Sequence, residues 1–457
     1  MLGARNGKRI GKTYAIVVKN AEEINKTTAL VWFQNNLRVQ DNTSLAEATQ
    51  KYTQVVGVYF FDLSIYTSTM HGFPKIGKYR ARFLIESIKN LKDLLAKLNI
   101  PLLVYHESPQ NIIPGLLQDL NVQEVFLQNE WTREEHSLLE KVQNVSPKNV
   151  KWSSYYDQFL FHPKEVPFSI DNLPNVFTAF RKKIEKKVNV RPLVFVKEDN
   201  HVLKTLPKTN LPTLKDLGFE NFNTDSRTAF PFQGGATAAH KRLQNYFWDS
   251  QKLSQYKKTR NGLIGTDYSS KLSAWLSCGC ISARQVYHEV KAYEQEIEKN
   301  ESTYWLIFEL IWRDFFKYIS LKHQNDIFKI GGILKKEYEW KQNSELLQQW
   351  INGETKSSFV NANMLEIKHT GWMSNRGRQN VASYFAKTME MDWRLGAAYF
   401  ESMLIDYDVH SNYGNWMYVA GVGNDPRNRT FNVERQAAHY DRNGSFQRHW
   451  LQEKLPL

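Results

Sequence analysis

Proline is placed along this chain in a way that few folds accommodate. Seven of the 14 prolines fall between residues 163 and 231 (Pro163, Pro167, Pro174, Pro192, Pro207, Pro212, Pro231), and none occurs from 232 to 425. Proline fixes φ and lacks an N–H, so it breaks helix interiors. The proline-rich stretch therefore reads as a long connector wrapped on the surface. The proline-free stretch, rich in Leu, Lys, Gln and aromatics, reads as a large all-helical domain. Upstream the pattern changes. Short β-rich runs at Ala29–Phe33, Val55–Phe61, Leu102–Tyr105, Val122–Leu127 and Val150–Trp152 alternate with helical patterns, the clearest at Lys78–Leu98. That alternation predicts βαβ units and a parallel sheet. The expected division is a basic tail at 1–27, an α/β parallel-sheet domain at 28–153, the connector at 154–230 and a helical domain at 231–457.

Composition narrows the function classes. A chain of 457 residues exceeds one ordinary core, and 42% apolar content excludes wholesale disorder. There is no run of 18 apolar residues, so no transmembrane helix is expected. Residues 1–27 lack the apolar core and cleavage site of a secretory signal. Only two cysteines occur, Cys278 and Cys280, one residue apart. That spacing suits neither a disulfide nor zinc, and points to a reducing compartment: cytoplasmic, with organellar targeting by the tail left open. The net charge of +13 makes a polyanion a reasonable partner.

Four stretches could carry chemistry. Helix Ser302–Leu321 is apolar nearly all round and hence buried, yet Glu309 and Arg313 stand at i and i+4 on the face of Trp305, Trp312 and Phe316. Either they form a self-satisfying ion pair, or a ligand with polar and planar parts meets this face. Asp406-Tyr-Asp408-Val-His410-Ser-Asn412 suits a cation or N–H donors, and no metal site is expected from a lone histidine. Thr370–Gln379 sets Arg376 and Arg378 beside Gly377 and Asn375, a phosphate or carboxylate grip or else a solvated face. Thr266–Ser273 brings hydroxyls and Lys271 before an apolar helix, a phosphate site or simple capping. Pro231–Gly235 reads as a turn before a helix. Spacing alone yields a ligand-binding helical domain and no reaction.

In this order the pieces resemble the photolyase/cryptochrome family, most closely its cryptochrome-DASH branch, over roughly residues 28–451. The carriers are Leu30–Asn42 (LVWFQNNLRVQDN) and, above all, Gly421–Asp441 (GVGNDPRNRTFNVERQAAHYD). The family usually has Arg where Gln34 stands and often Asp where Asn36 stands. The resemblance implies a Rossmann-like antenna domain and a helical domain holding FAD. Tyr256, Ser269, Ser270, Lys271, Leu272 and Ser273 match FAD-contacting segments, the hydroxyls and amides serving the pyrophosphate. Arg313, Asn375, Arg378, Asp406, Asp408 and Asn412 match residues around the flavin ring. In the family's pattern Arg378 pairs with Asp406, Asp408 accepts from the flavin imide, and Asn412 faces the reactive edge.

The implied reaction is photochemical: excited reduced FAD gives an electron to a cyclobutane pyrimidine dimer, which splits and returns it. Glu309, Trp312, Asn375 and Asn412 match catalytic positions, with Tyr418 and Gln379 lining the dimer pocket and Arg260 and Arg376 holding DNA phosphates. Trp416, Trp393 and Trp340 match an electron-transfer chain. Glu130, or Glu134 if the alignment slips, matches a contact of a methenyltetrahydrofolate antenna. Asn375 and Gln379 stand where six-four photolyases carry a histidine pair, and no long tail follows Leu457 as in signalling cryptochromes. Thr355–Met364 lacks the family's Gly, Pro and Asp, which predicts a different turn or a looser loop. The expectation is a monomeric enzyme repairing dimers in single-stranded DNA. The alternatives are a blue-light receptor or DNA-binding regulator without repair, and a flavoprotein with no DNA role.

Overall fold

The structure is a computed structural model that describes residues 27–452 apart from 68, 199–204 and 426. Apart from residue 27, the basic tail lies outside the described residues. Strands β1 (Thr28–Trp32), β2 (Gln54–Phe60), β5 (Leu102–Tyr105), β6 (Val122–Gln128) and β7 (Lys151–Tyr155) form a parallel sheet ordered β5-β2-β1-β6-β7, and β3 (Thr69–Met70) with β4 (Phe73–Pro74) forms a small hairpin. The β-rich runs of the sequence become these five parallel strands.

Successive strand residues point to opposite faces, and both faces are apolar. Leu30, Trp32, Val56 and Val58 face a core with Ile113, Leu116 and Leu117. Ala29, Val31, Val55 and Val104 face a larger core continuous with the helices that follow. The chain adds β2 and β5 on one side of β1 and then returns to add β6 on the other. In parallel sheets that reversal opens a crevice at the carboxyl ends of the strands, here β1 and β6.

From Ala236 to Leu451 the chain is helical, as the missing prolines predict. The Gly234-Gly235 pair starts helix Ala236–Gln244 by packing against helix Lys78–Ala96; a Cβ at Gly234 would collide with the Phe83 carbonyl. The connector departs from expectation. It is irregular apart from helix Phe177–Lys187 and a short turn at Lys215–Leu217, but it does not simply wrap the surface. Phe159, Leu160, Phe161, Phe177 and Phe180 are buried. The Asp314 carboxylate accepts from Leu160 N at 3.0 Å and Phe161 N at 2.8 Å, and Tyr318 Oη donates to Phe161 O at 2.6 Å. Proline marks irregular backbone there; the aromatics decide burial.

Two further contacts lock the sheet half to the helical half. Gly279 has φ +73° and lies so close that a Cβ would strike the Asn35 carbonyl, while Arg38 donates to Gly279 O at 3.1 Å. Asp41, fully buried, accepts from Arg284 Nε at 2.9 Å and Ser282 Oγ at 2.6 Å, and Arg284 also meets Asp157 at 3.3 Å. The loop read as loose is closed: Asn361 Oδ1 accepts from Thr355 N (2.8 Å) and Oγ1 (2.7 Å), and its Nδ2 donates to Thr355 O (2.9 Å). An amide thus closes this turn without the family's Asp.

Candidate functional site

A cleft of about 570 Å³ opens into the helical half. Helix Glu301–His323 forms one wall, started by Asn300, whose Oδ1 accepts from Ser302 N (2.8 Å) and Thr303 N (3.1 Å). Helical spacing turns Glu309, Trp312, Arg313 and Phe316 to the cleft. Trp312 stacks on Phe177 of the connector, centroids 3.6 Å apart at 9°, and Tyr418 meets it edge-on at 6.1 Å. Glu309 does not pair with Arg313 as the i,i+4 spacing allowed. Its Oε1 meets Arg260 Nη2 at 2.7 Å, and Arg313 instead donates to Gln158 O (2.5 Å) and Leu276 O (3.0 Å). Two backbone carbonyls thus draw Arg313 away from its helical neighbour. Burial raises the Glu309 carboxyl above its ordinary range, with Arg260 opposing.

The opposite wall is polar. Arg378 Nη2 donates to both Asp406 oxygens at 2.9 and 3.0 Å, and Asp406 also accepts from Ser273 Oγ at 2.7 Å. Asp408 caps helix Val409–Ala420 through Ser411 N (2.8 Å) and takes Lys317 Nζ at 2.8 Å. Burial would raise this carboxyl, but Lys317, His410 and Arg313 hold it well below the usual carboxylate range. Asn375 and Gln379 sit on helix Asn375–Ser383, capped by Ser374, and line the cleft. Arg376 lies over the Tyr440 ring at 4.5 Å and donates to Asn261 at 3.2 Å. Asn412 Nδ2 donates to Ala397 O at 3.0 Å, and Ser411 and Asn415 of the same helix line the cleft.

Buried polar atoms without partners show what the cleft suits. Lys271 Nζ is one; the residue is 2% exposed, its φ is +64°, and its amine sits 3.1 Å above the Tyr268 ring centroid. Burial holds this amine well below its ordinary value, and the nearby Glu366 carboxyl, pushed up to about 8 by burial, also has an unpartnered oxygen. Gln379 Oε1 and Arg376 Nε are likewise unpartnered. A lysine amine with no hydrogen-bond partner, on a cleft wall that also carries Ser269, Ser270, Ser273 and Tyr256, fits an anionic pyrophosphate. The planar, amide-rich end around Arg378 and Asn375 fits a flavin ring.

The three tryptophans are joined through backbone. Trp416 seats its ring on Gly396, where a Cβ would collide with it, and Gly396 lies one turn from Trp393, the first residue of helix Trp393–Met403. Trp340 precedes Lys341, which bridges to the chain just before Trp393: Lys341 N donates to Glu390 O at 2.7 Å and Asp392 N to Lys341 O at 3.1 Å. Trp416 and Trp393 are buried, and Trp340 is partly buried.

A second cavity, about 460 Å³, sits at the β1/β6 crevice, lined by Gln34 and Asn35 after β1 and by Gln128 and Glu130 at the end of β6. Glu130 Oε1 accepts from Gln128 Nε2 at 2.7 Å and Asn35 Nδ2 at 3.4 Å, and burial pushes its carboxyl up to about 7 against the Lys317 charge. Glu134 lies at the rim, ion-paired with Lys75. The amide oxygens of Gln34, Gln128 and Gln158 have no partner. Ser277, Arg313 and Asp408 line this cavity and the cleft alike. Sequence reading missed several members. Phe177 lay hidden among prolines. Lys317 and His410 gave no signal beyond helical spacing and a lone histidine, although His410 stacks on Trp131 at 4.5 Å and holds Ser320 Oγ at 2.6 Å.

Two family models match this chain, "DNA photolyase" over residues 29–199 and "FAD binding domain of DNA photolyase" over residues 305–455. Cryptochrome DASH of Synechocystis sp. is 44% identical over 433 residues, 93% of this chain and 88% of its own length. That of Danio rerio is 44% identical, covering 93% and 83%, and the chloroplastic/mitochondrial Cryptochrome DASH of Arabidopsis thaliana is 40% identical, covering 94% and 77%. The solved Synechocystis cryptochrome superposes with a TM-score of 0.89 at 43% identity, covering 93% of this chain and 88% of its own. A class III photolyase from Agrobacterium tumefaciens shares the fold, with a TM-score of 0.80 at 24% identity over 95% of this chain and 88% of its own.

Proposed function

The chain belongs to the photolyase/cryptochrome family, in its cryptochrome-DASH branch, and from that membership we propose that it is a light-driven lyase repairing cyclobutane pyrimidine dimers in single-stranded DNA. The observation that carries this reading is one cleft with Glu309, Trp312 and Asn375 on its walls and the Arg378–Asp406 pair, with unpartnered Lys271, deeper in. Reduced FAD, bound there, supplies an electron when excited by blue light. Lys271, Ser269, Ser270 and Ser273 hold the pyrophosphate, with Tyr256 and Leu272 closing around them. Arg378, Asp406, Asp408 and Arg313 fix the charge around the ring.

On the substrate side, Trp312 is held flat by Phe177 and offers a platform to pyrimidines turned out of the stack, which damage and single-strandedness make cheaper. Glu309 hydrogen-bonds those bases, with Asn375, Gln379 and Tyr418 beside it. Arg260 and Arg376 hold phosphates, a salt-dependent contribution. Trp340, Trp393 and Trp416 form the route by which electrons reach the cleft from outside. Asn412, by the family's pattern, faces the reactive edge of the ring. The second cavity takes a methenyltetrahydrofolate antenna: its free amide oxygens and the Glu130 carboxyl suit a ligand rich in N–H groups. We take the protein to act as a monomer in the cytoplasm or an organelle. Among the described residues no helix is long and apolar enough to cross a membrane.

The test illuminates the reduced protein with thymine-dimer oligonucleotides, single- and double-stranded, and follows loss of the dimer. Repair of the single strand is expected. No repair of either, with flavin intact, leaves the photoreceptor or regulator reading. Glu309→Ala should keep flavin absorbance and lose about 10- to 100-fold in repair, the worth of a charged hydrogen bond. Trp393→Phe should slow photoreduction and leave repair by already reduced protein unchanged.

A further inference from the structure

Cys278 and Cys280, the only cysteines of the chain, stand one residue apart, a spacing that on its own makes a poor disulfide. The fold brings them together. Cys278 Sγ lies 3.4 Å from Cys280 Sγ and donates its thiol hydrogen to it. Gly279 between them has φ +73° and turns the chain back against Asn35, and the two sulfurs end up facing each other. Cys280 N donates to Trp275 O at 2.8 Å, which closes this reversal onto helix Ser273–Ser277. The sheet half grips the same turn: Leu37 N donates to Cys278 O at 3.2 Å and Arg38 to Gly279 O at 3.1 Å.

The two sulfurs are not equivalent. Cys278 is 5% exposed and lines the interdomain cavity, where a small molecule reaches it, whereas Cys280 is fully buried. Burial would raise the Cys280 thiol, but hydrogen bonds from Cys278, Ser87 and Gly235, with the Arg38 charge, hold it below its ordinary value. Burial, joined by the same Cys278–Cys280 hydrogen bond, pushes the Cys278 thiol well up, so the pair shares one proton. Such a division suits a reactive dithiol: one sulfur meets a reactant from the cavity, and a thiolate partner waits behind it. Among the described residues no third His, Cys, Asp or Glu completes a metal site with them.

We propose that Cys278 and Cys280 are a modification site, joined into a reversible disulfide by hydroperoxides that enter the interdomain cavity. The Cys278 sulfur attacks the terminal peroxide oxygen as its proton passes to Cys280. The O–O bond breaks, the departing oxygen takes a proton from solvent, and Cys278 becomes a sulfenic acid. The Cys280 sulfur then attacks the Cys278 sulfur, and the hydroxyl leaves as water with the proton that Cys280 held. Two electrons pass from the sulfurs to the peroxide, and a dithiol returns them by exchange. The sulfurs close from 3.4 Å to about 2.05 Å, which acts on the turn that Leu37 and Arg38 hold. In a reducing compartment a bond of this kind is transient and senses oxidant. The site stands apart from the repair reading, since it needs neither DNA nor light.

The experiment exposes full-length FAD-loaded protein to hydrogen peroxide in the dark, then unfolds it in an alkylating reagent and digests it with trypsin. Both sulfurs fall on one peptide, Leu272–Arg284, so mass spectrometry reads the bond directly. Wild type should yield that peptide lighter by two hydrogens and closed to the reagent, and dithiothreitol should restore both alkylations. Cys280→Ser should stop at a Cys278 sulfenic acid, trapped by dimedone, and Cys278→Ser should leave Cys280 reduced because it does not face the cavity. Circular dichroism checks that each variant is folded. The proposal is overturned if both thiols of peroxide-treated wild type stay open to alkylation, or if they pass to sulfinic or sulfonic acids without the bond. It is equally overturned if dimedone marks Cys280 in folded Cys278→Ser, or if the disulfide forms only between two chains.

Discussion

The cleft and the interdomain cavity are close in size, about 570 and 460 Å³, and share Ser277, Arg313 and Asp408, yet they handle charge in opposite ways. The cleft holds a buried amine with no hydrogen-bond partner, Lys271, and its carboxylates Asp406 and Glu309 are each matched to an arginine. The cavity holds carboxyls that burial has pushed up, Glu130 to about 7 and Glu135 above its ordinary value, beside amide oxygens with no donors. One lacks an anion and the other lacks N–H donors. A shared wall has not made shared sites: the cleft is lined by the helical half alone, whereas the cavity sets residues of the sheet half against helical-half residues such as Lys317, Tyr407 and His410.

The strongest way to break the contrast is through what both sites need. Gly279→Ala puts a Cβ against the Asn35 carbonyl at φ +73° and should destabilise by about 2–5 kcal/mol, adding overpacking to left-handed strain. Thermal unfolding should show it, with loss of ligands from both sites together. Lys271→Met separates them. It should weaken FAD binding to the apoprotein about 10- to 100-fold, one charged hydrogen bond, and leave folate binding unchanged. Equal loss of both ligands would show that the sites are not independent.

The smallest effect is a pH dependence. Glu130 in the folded chain holds its proton up to about 7, above its ordinary value of 4.5, so its contribution to stability is fully present below 4.5 and is lost as pH rises through 7. Ligand-free protein should thus lose about 1–3 kcal/mol between pH 5 and 8 from this group. Glu130→Gln should flatten that slope in melting curves without changing flavin content. An unchanged slope would assign the dependence to another group, with Glu366 the next to test.

Much of the architecture was legible before any coordinates. Short runs of β-branched, aromatic and aliphatic residues mark the parallel strands, and the absence of proline marks the helices. The cleft was legible only in part. Helical spacing puts Glu309 beside Trp312, but it suggests Arg313 as partner when the partner is Arg260, which arrives on a separate short helix. Phe177, the ring beneath Trp312, lies among prolines that mask its burial. Periodicity cannot show such contacts, because both partners are set by how distant segments cross. Asn361 teaches the converse: its departure from the family's Asp suggested a looser loop, yet an amide makes the needed bonds. Composition counts residue types; local geometry needs only donors and acceptors in place.

The ion cluster between the halves sets a clock. Asp41 is buried, and its arginine, Arg284, comes 243 residues later in the chain. At roughly 5–20 residues per second, a ribosome needs about 12–50 s to supply it. For that interval the emerging sheet carries a carboxylate, with Arg38 still short of its Gly279 carbonyl, and neither can be buried as in the finished protein. The sheet half should therefore be easily cleaved by protease as a nascent chain until residue 284 has cleared the exit tunnel, and pulse-labelled chains stalled on either side of that residue would show the change.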